Sequence, residues 1–163
     1  MIAWIRDQDC AVALDSRMHP VMISSWYGVA TVEVVDQFYA WSDRTTAEAM
    51  AAEQRLIRIA DLRRARPPSG AVRRRAFDHN RNDLVGEVAV VRIVVLDDPI
   101  LRSIIHTMRR IGGGRRSSEL VVVDKMSTAI ELTLERLRAE RIPPPQGLDP
   151  AHYEPPRWMP GLT

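Results

Sequence analysis

Two kinds of hydrophobic spacing divide the chain. Continuous apolar runs, the pattern of strands buried on both faces, occupy residues 10–14, 21–26, 56–60, 86–96 and 119–123. The first two flank His19-Pro20 and read as a hairpin. The run over 86–96, rich in Val and Ile, is the longest and predicts the central strand. Between the runs the spacing changes to that of a helix. Val34, Phe38 and Trp41 recur at i, i+4, i+7 in an amphipathic helix from Thr31 to about Gln54. Ile100, Leu101, Ile104, Ile105, Met108 and Ile111 form a second apolar face, with Asp98 as N-cap, Pro99 in the first turn and Gly112-Gly-Gly114 as the stop. Ser127 is the expected N-cap of the last helix, which carries Ala129, Ile130, Leu132, Leu134 and Leu137 and ends before Pro143-Pro-Pro145.

The strand over 56–60 ends in Asp61-Leu62, and Pro67-Pro68 forces a loop behind it. Ser69 then caps a basic helix with Val72, Ala76 and Phe77 on its apolar stripe. The predicted order is β-β-α-β-α-β-α-β-α, an α/β fold with a mixed central sheet of about five strands covered by helices. Residues 1–142 make one domain, and 143–163 a Pro-rich arm holding Tyr153 and Trp158. Such an arm covers either its own domain or a second subunit, and the latter would give a homodimer.

Composition narrows the class further. With 45% hydrophobic and 27% charged residues, the chain is neither disordered nor a disulfide-stapled miniature, and Cys10 has no second cysteine to pair with. The absence of a leader or a membrane-spanning apolar run predicts a cytoplasmic protein without membrane insertion. The net charge of +2 conceals strong polarisation. Residues 55–82 carry +7 and 101–116 carry +5, leaving −10 for the rest. Arg supplies nearly all the positive charge, since Lys125 is the one lysine.

The element order, the strand end at Asp61-Leu62, the Ser69-Gly70 pair and the pattern Met126-Ser-Thr-Ala-Ile-Glu-Leu-Thr-Leu134 together resemble the STAS domain of anti-sigma-factor antagonists. The likeness extends to the small stand-alone STAS-like proteins of bacteria and covers about residues 10–140. It implies a non-catalytic regulatory or protein-interaction module with a protein partner. In the antagonists, an Asp-Ser-Ser-Gly-like loop is phosphorylated on serine and the added charge releases the partner. The matching junction here is Pro67-Pro68-Ser69-Gly70, with Pro in place of the family's Asp and an Arg-rich flank. Ser69 is therefore a candidate phosphoacceptor as well as a helix cap. A phosphate on it would sit at a helix N-terminus near Arg73 and Arg74.

Arg66, Arg73, Arg74 and Arg75 form the candidate partner surface. Nucleic acid is disfavoured as a partner because only Phe77 accompanies these arginines, and stacking platforms need interleaved aromatics. Arginines paired with acids on a neighbouring element explain the run as well. The segment Gly112-Gly-Gly-Arg-Arg-Ser-Ser118 follows a helix and precedes a strand, the reverse of a phosphate-binding loop. His19, His79, His106 and His152 lack metal-ligand spacing, and nothing brings Ser, His and Asp together, so no metal, no cofactor and no catalytic constellation is predicted. The alternative to an interaction module is a carrier or sensor of a small apolar, lipid-like ligand, with Met18, Met22, Met50, Met108 and Met126 lining its pocket.

Overall fold

The computed structural model describes residues 1–82, 85–111 and 119–158. Strands β1 (Ile2–Asp7), β2 (Cys10–Asp15), β3 (Val21–Gly28), β4 (Leu56–Ala65), β5 (Ala89–Val95) and β6 (Glu119–Val123) form one sheet in sequence order. The first three strands are antiparallel, whereas β3 to β6 run parallel. Helices α1 (Val32–Ala51), α2 (Gly70–Asn82), the single turn α3 (Val85–Val88), α4 (Pro99–Ile111) and α5 (Met126–Ala139) complete the domain. The α/β class and the mixed sheet are as the sequence predicts.

The order of strands explains where the helices lie. Each parallel crossover steps one strand along the sheet in the same direction, and the right-handed rule then puts the connecting helices on one face. Even-numbered β4 positions and their neighbours meet α1 and α4 there: Met22 and Leu56 pack with Ala49, while Ala60, Leu62 and Val94 pack with Leu101 and Ile105. Odd-numbered positions Val21, Ile23, Ile57, Ile59, Val91, Ile93 and Val95 face the other way and bury Met126, Ala129, Ile130 and Leu137 of α5. The arm continues along this second face, where Leu148 is buried and Ile142 and Tyr153 join the same core.

Several boundaries differ from those expected. The sheet has six strands because Ile2–Asp7 pairs along all of β2. Its apolar and polar residues do not alternate cleanly, since an edge strand buries little; only Ile5 is buried. The β-branched run is not central: β5 lies next to the β6 edge, and its expected first residues form α3. β4 continues past Asp61-Leu62 to Ala65, and its register against β3 shifts between Ser25 and Tyr27, so that Ser25 faces Asp61 but Tyr27 faces Arg64. The last helix begins at Met126, with Lys125 in the cap position and no side-chain cap bond. Burying Met126 outweighs the cap that Ser127 would have supplied. The caps at Thr31 and Asp98 are as expected: Thr31 Oγ1 accepts from Val34 N–H, and Asp98 Oδ1 accepts from Ile100 and Leu101 N–H. The segment 112–118 lies outside the described residues.

Candidate functional site

β4 hands the chain to α2 through residues 66–69, and this junction gathers the residues singled out in the sequence. Arg66 N–H donates to Gly28 O at 2.8 Å, tying the end of β4 to the end of β3. Ser69 is exposed, and its Oγ accepts from Val72 N–H at 3.3 Å, as an N-cap hydroxyl does. Gly70 opens the helix, and the Arg73 guanidinium folds back over it, with Nη2 3.9 Å from where a β-carbon would stand.

α2 rests on α1 rather than on the sheet. Arg75 pairs with Asp36, His79 Nε2 lies 3.0 Å from Asp43 Oδ1, and the His79 ring stacks on Tyr39 at 3.7 Å between centroids. Pairing with acids on a neighbouring helix therefore accounts for Arg75. It does not account for Arg66, Arg73 and Arg74, which are exposed and whose guanidinium groups make no hydrogen bond or ion pair among the described residues. Arg63 and Arg64 upstream are engaged: Arg63 grips Asp61 through Nε and Nη2 at 2.9 and 2.8 Å, and Arg64 donates to the Tyr27 hydroxyl at 3.2 Å while lying over its ring.

A second polar group, unmarked in the sequence reading, lies on the arm-covered face of the sheet. Asp15 (0% exposed) and Asp61 (3%) are both buried. Each is neutralised two residues later in the chain, Asp15 by Arg17 at 2.9 and 2.7 Å and Asp61 by Arg63. Both pairs have the spacing Asp-x-Arg, and that repeated spacing is the signal that would have found them. Between them in the sheet, Ser25 is 2% exposed and its Oγ takes no hydrogen bond among the described residues. The arm closes over this group. The Tyr153 hydroxyl donates to Asp15 Oδ2 at 3.2 Å, Tyr27 donates to the carbonyl of Pro156, and the Trp158 and Tyr27 rings lie 6.0 Å apart.

These contacts set the titration of the site. Burial disfavours the charged form of Asp15, but the Arg17 guanidinium and backbone N–H, the Arg17 charge and the Tyr153 hydroxyl outweigh it and hold the carboxyl below its ordinary value. Burial, reinforced by the Asp15 charge, raises the Tyr153 phenol. Burial also raises the Cys10 thiol to about 11, which leaves it protonated at neutral pH.

The described methionines expected to line one pocket divide between the two faces of the sheet and the surface. Met22 packs under α1, Met18 and Met126 belong to the opposite face, and Met50 is exposed on α1. The side chain of Met108 lies outside the described residues. No described helix is long and apolar enough to cross a membrane.

A mixed sheet with its crossover helices on one face and the final helix on the other gives the chain a STAS-like α/β fold. A solved structure from Shewanella loihica PV-4, an uncharacterized protein of the DUF3478 family with a SpoIIAA-like fold, superposes with a TM-score of 0.52 at 10% identity, covering 81% of this chain and 91% of that one. No protein-family model and no curated protein matches the chain.

Proposed function

We propose that the chain is a non-catalytic docking module that engages an acidic protein surface at the start of α2, under the control of phosphate on Ser69. The observation that carries this reading is the division among the arginines. The side chains of Arg63, Arg64 and Arg75 are engaged within the domain, whereas those of Arg66, Arg73 and Arg74, which flank the exposed Ser69 along the chain, have no partner among the described residues. Guanidinium groups left in water beside a helix N-terminus favour carboxylates or phosphate on a partner. A phosphate on Ser69 would compete for the same three side chains and displace the partner, because it brings close to two negative charges to the centre of the patch.

The test is affinity capture from the native host with wild type, the double variant Arg73→Glu/Arg74→Glu, Ser69→Asp, and Arg138→Glu on α5 as a charge-reversal control. The reading expects one acidic protein that is released by salt, lost with the first two variants and retained by the control. Identical capture by all four proteins overturns it. Intact-mass analysis of the same preparations tests the phosphate: a fraction of wild type one phosphate heavier, and none in Ser69→Ala, is the expected result.

A further inference from the structure

The last described turn of the arm is held by side chains alone. Residues 153–158 belong to no helix, strand or turn, and among the described residues 154–158 make no backbone-to-backbone hydrogen bond. Glu154 and Arg157 stand in water, 79% exposed and 3.5 Å apart. The others face the domain: Tyr153 donates to Asp15 Oδ2 at 3.2 Å, the Pro156 carbonyl accepts from the Tyr27 hydroxyl, and the Trp158 ring lies 6.0 Å from that of Tyr27. Tyr27 is prepared for this contact. Arg64 Nη1 donates to its oxygen at 3.2 Å, so the single phenolic proton is left for the proline carbonyl, and the Trp4 ring at 6.1 Å extends the aromatic surface. A run of prolines makes no hydrogen bonds of its own and turns its carbonyls outward, so an aromatic surface carrying a donor is the chemistry that recognises it. The fit is incomplete at one point. Ser25 Oγ, on the same face of the sheet and 2% exposed, takes no hydrogen bond among the described residues, so the seated arm leaves a buried polar group unsatisfied.

We propose that the surface around Tyr27 is a binding site for a proline-rich segment of a partner protein, and that the arm occupies it in cis as an autoinhibitory strap. The chemistry of the occupant is that of the segment already seated there, Tyr153-Glu-Pro-Pro-Arg-Trp158: an aromatic, two prolines and a second aromatic two residues on. The strap can leave while the domain stays folded. Ile142 and Leu148 anchor the start of the arm in the core, and from Tyr153 onward release costs side-chain contacts but no strand of the sheet. A partner segment that also bonds Ser25 gains over the arm by that bond. The inference does not rest on docking at α2, since it uses none of Ser69, Arg66, Arg73 or Arg74.

Fluorescence anisotropy of a labelled peptide with the sequence of residues 151–158, AHYEPPRW, tests the site in the full chain. Tyr153→Phe loosens the strap at its start and Trp158→Ala at its end. Apparent affinity scales with the fraction of chains whose site is open, so both variants should bind the peptide more tightly than wild type. For Tyr153→Phe, which loses one hydrogen bond to a charged group, the gain should be about tenfold. Adding Tyr27→Phe to Tyr153→Phe should cancel that gain. The same peptide with alanine at both prolines should bind the loosened chain more weakly, and this comparison decides alone if the double variant does not fold. Loosened chains that keep the wild-type far-UV circular dichroism spectrum yet bind no peptide up to about 1 mM overturn the proposal. Equal binding of the two peptides also overturns it. Loosened chains that ignore the peptide and sediment as two chains would give the site to the arm of a second copy, and overturn the partner.

Discussion

Replacing Tyr153 with Phe isolates the latch between arm and hairpin, because it deletes one hydroxyl and little apolar surface. That hydroxyl donates to Asp15 Oδ2 at 3.2 Å, and hydrogen bonds to charged groups contribute about 1.5–3 kcal/mol. Asp15 keeps both guanidinium bonds and the backbone N–H of Arg17, so no acceptor is stranded and the lower figure, about 1.5 kcal/mol, applies. For a chain of this length that is a fall in Tm of about 3–6 °C at neutral pH. The pH dependence supplies the sharper test. The folded phenol titrates above its ordinary value of 10.0, so its contribution is intact below that pH and is lost as pH rises and the unfolded chain releases its proton first. Wild type should therefore lose about 1.4 kcal/mol more than Tyr153→Phe for each pH unit above 10, and the gap between them should close near about pH 11. Cys10 and Tyr27 are raised in both proteins and cancel in the difference. Thermal unfolding followed by circular dichroism at the two pH values reads this directly. Equal stability at neutral pH, or a gap that stays constant at alkaline pH, would refute a latch made by this hydroxyl.

Gly28→Ala should cost well over about 1–2 kcal/mol in urea unfolding, because φ is +73° there and the new Cβ would lie 1.9 Å from Asp9 O. Ser69→Ala should lose about 1 kcal/mol through the missing cap bond to Val72 N–H, whereas Ser69→Asp, itself a good cap, should stay close to wild type; equal losses would deny the cap. The depressed carboxyl of Asp15 contributes stability that is complete above about pH 4 and falls away as pH drops through its folded value. Asp15→Asn, compared with wild type by acid titration of fluorescence, should flatten the acid limb in that range.

The elements that could be read from the sequence are those in which local preference and tertiary packing agree. α1 has both a capping Thr31 and an apolar stripe, and α4 has Asp98 and Pro99, so both began where expected. β1 is not legible because a strand with a single strand neighbour among the described residues buries too few side chains to leave a pattern. β4 was cut short at Leu62 because Arg63 and Arg64 look like loop residues; only the fold supplies Asp61 and the Tyr27 ring that make them tolerable in a strand. The same limit applies to the site. The cap role of Ser69 is legible through its proline and glycine neighbours, but Arg73 and Arg75 differ only in what stands across from them, Asp36 facing Arg75 alone. Asp15 and Ser25 became a site only when the arm, more than a hundred residues later, came to lie over them.

That separation governs the timing of synthesis. The contact from Tyr153 to Asp15 spans 138 residues and the one from Tyr27 to Pro156 spans 129, so the hairpin leaves the ribosome long before its cover exists. Until residues 153–158 emerge, the nascent chain shows a face carrying two carboxylates, their arginines and an unpartnered serine. The two ion pairs keep that part of the face hydrated in the interval, while the apolar positions of the same face, Ile23 and Ile59 among them, are completed by Leu148 and Tyr153 of the same late segment.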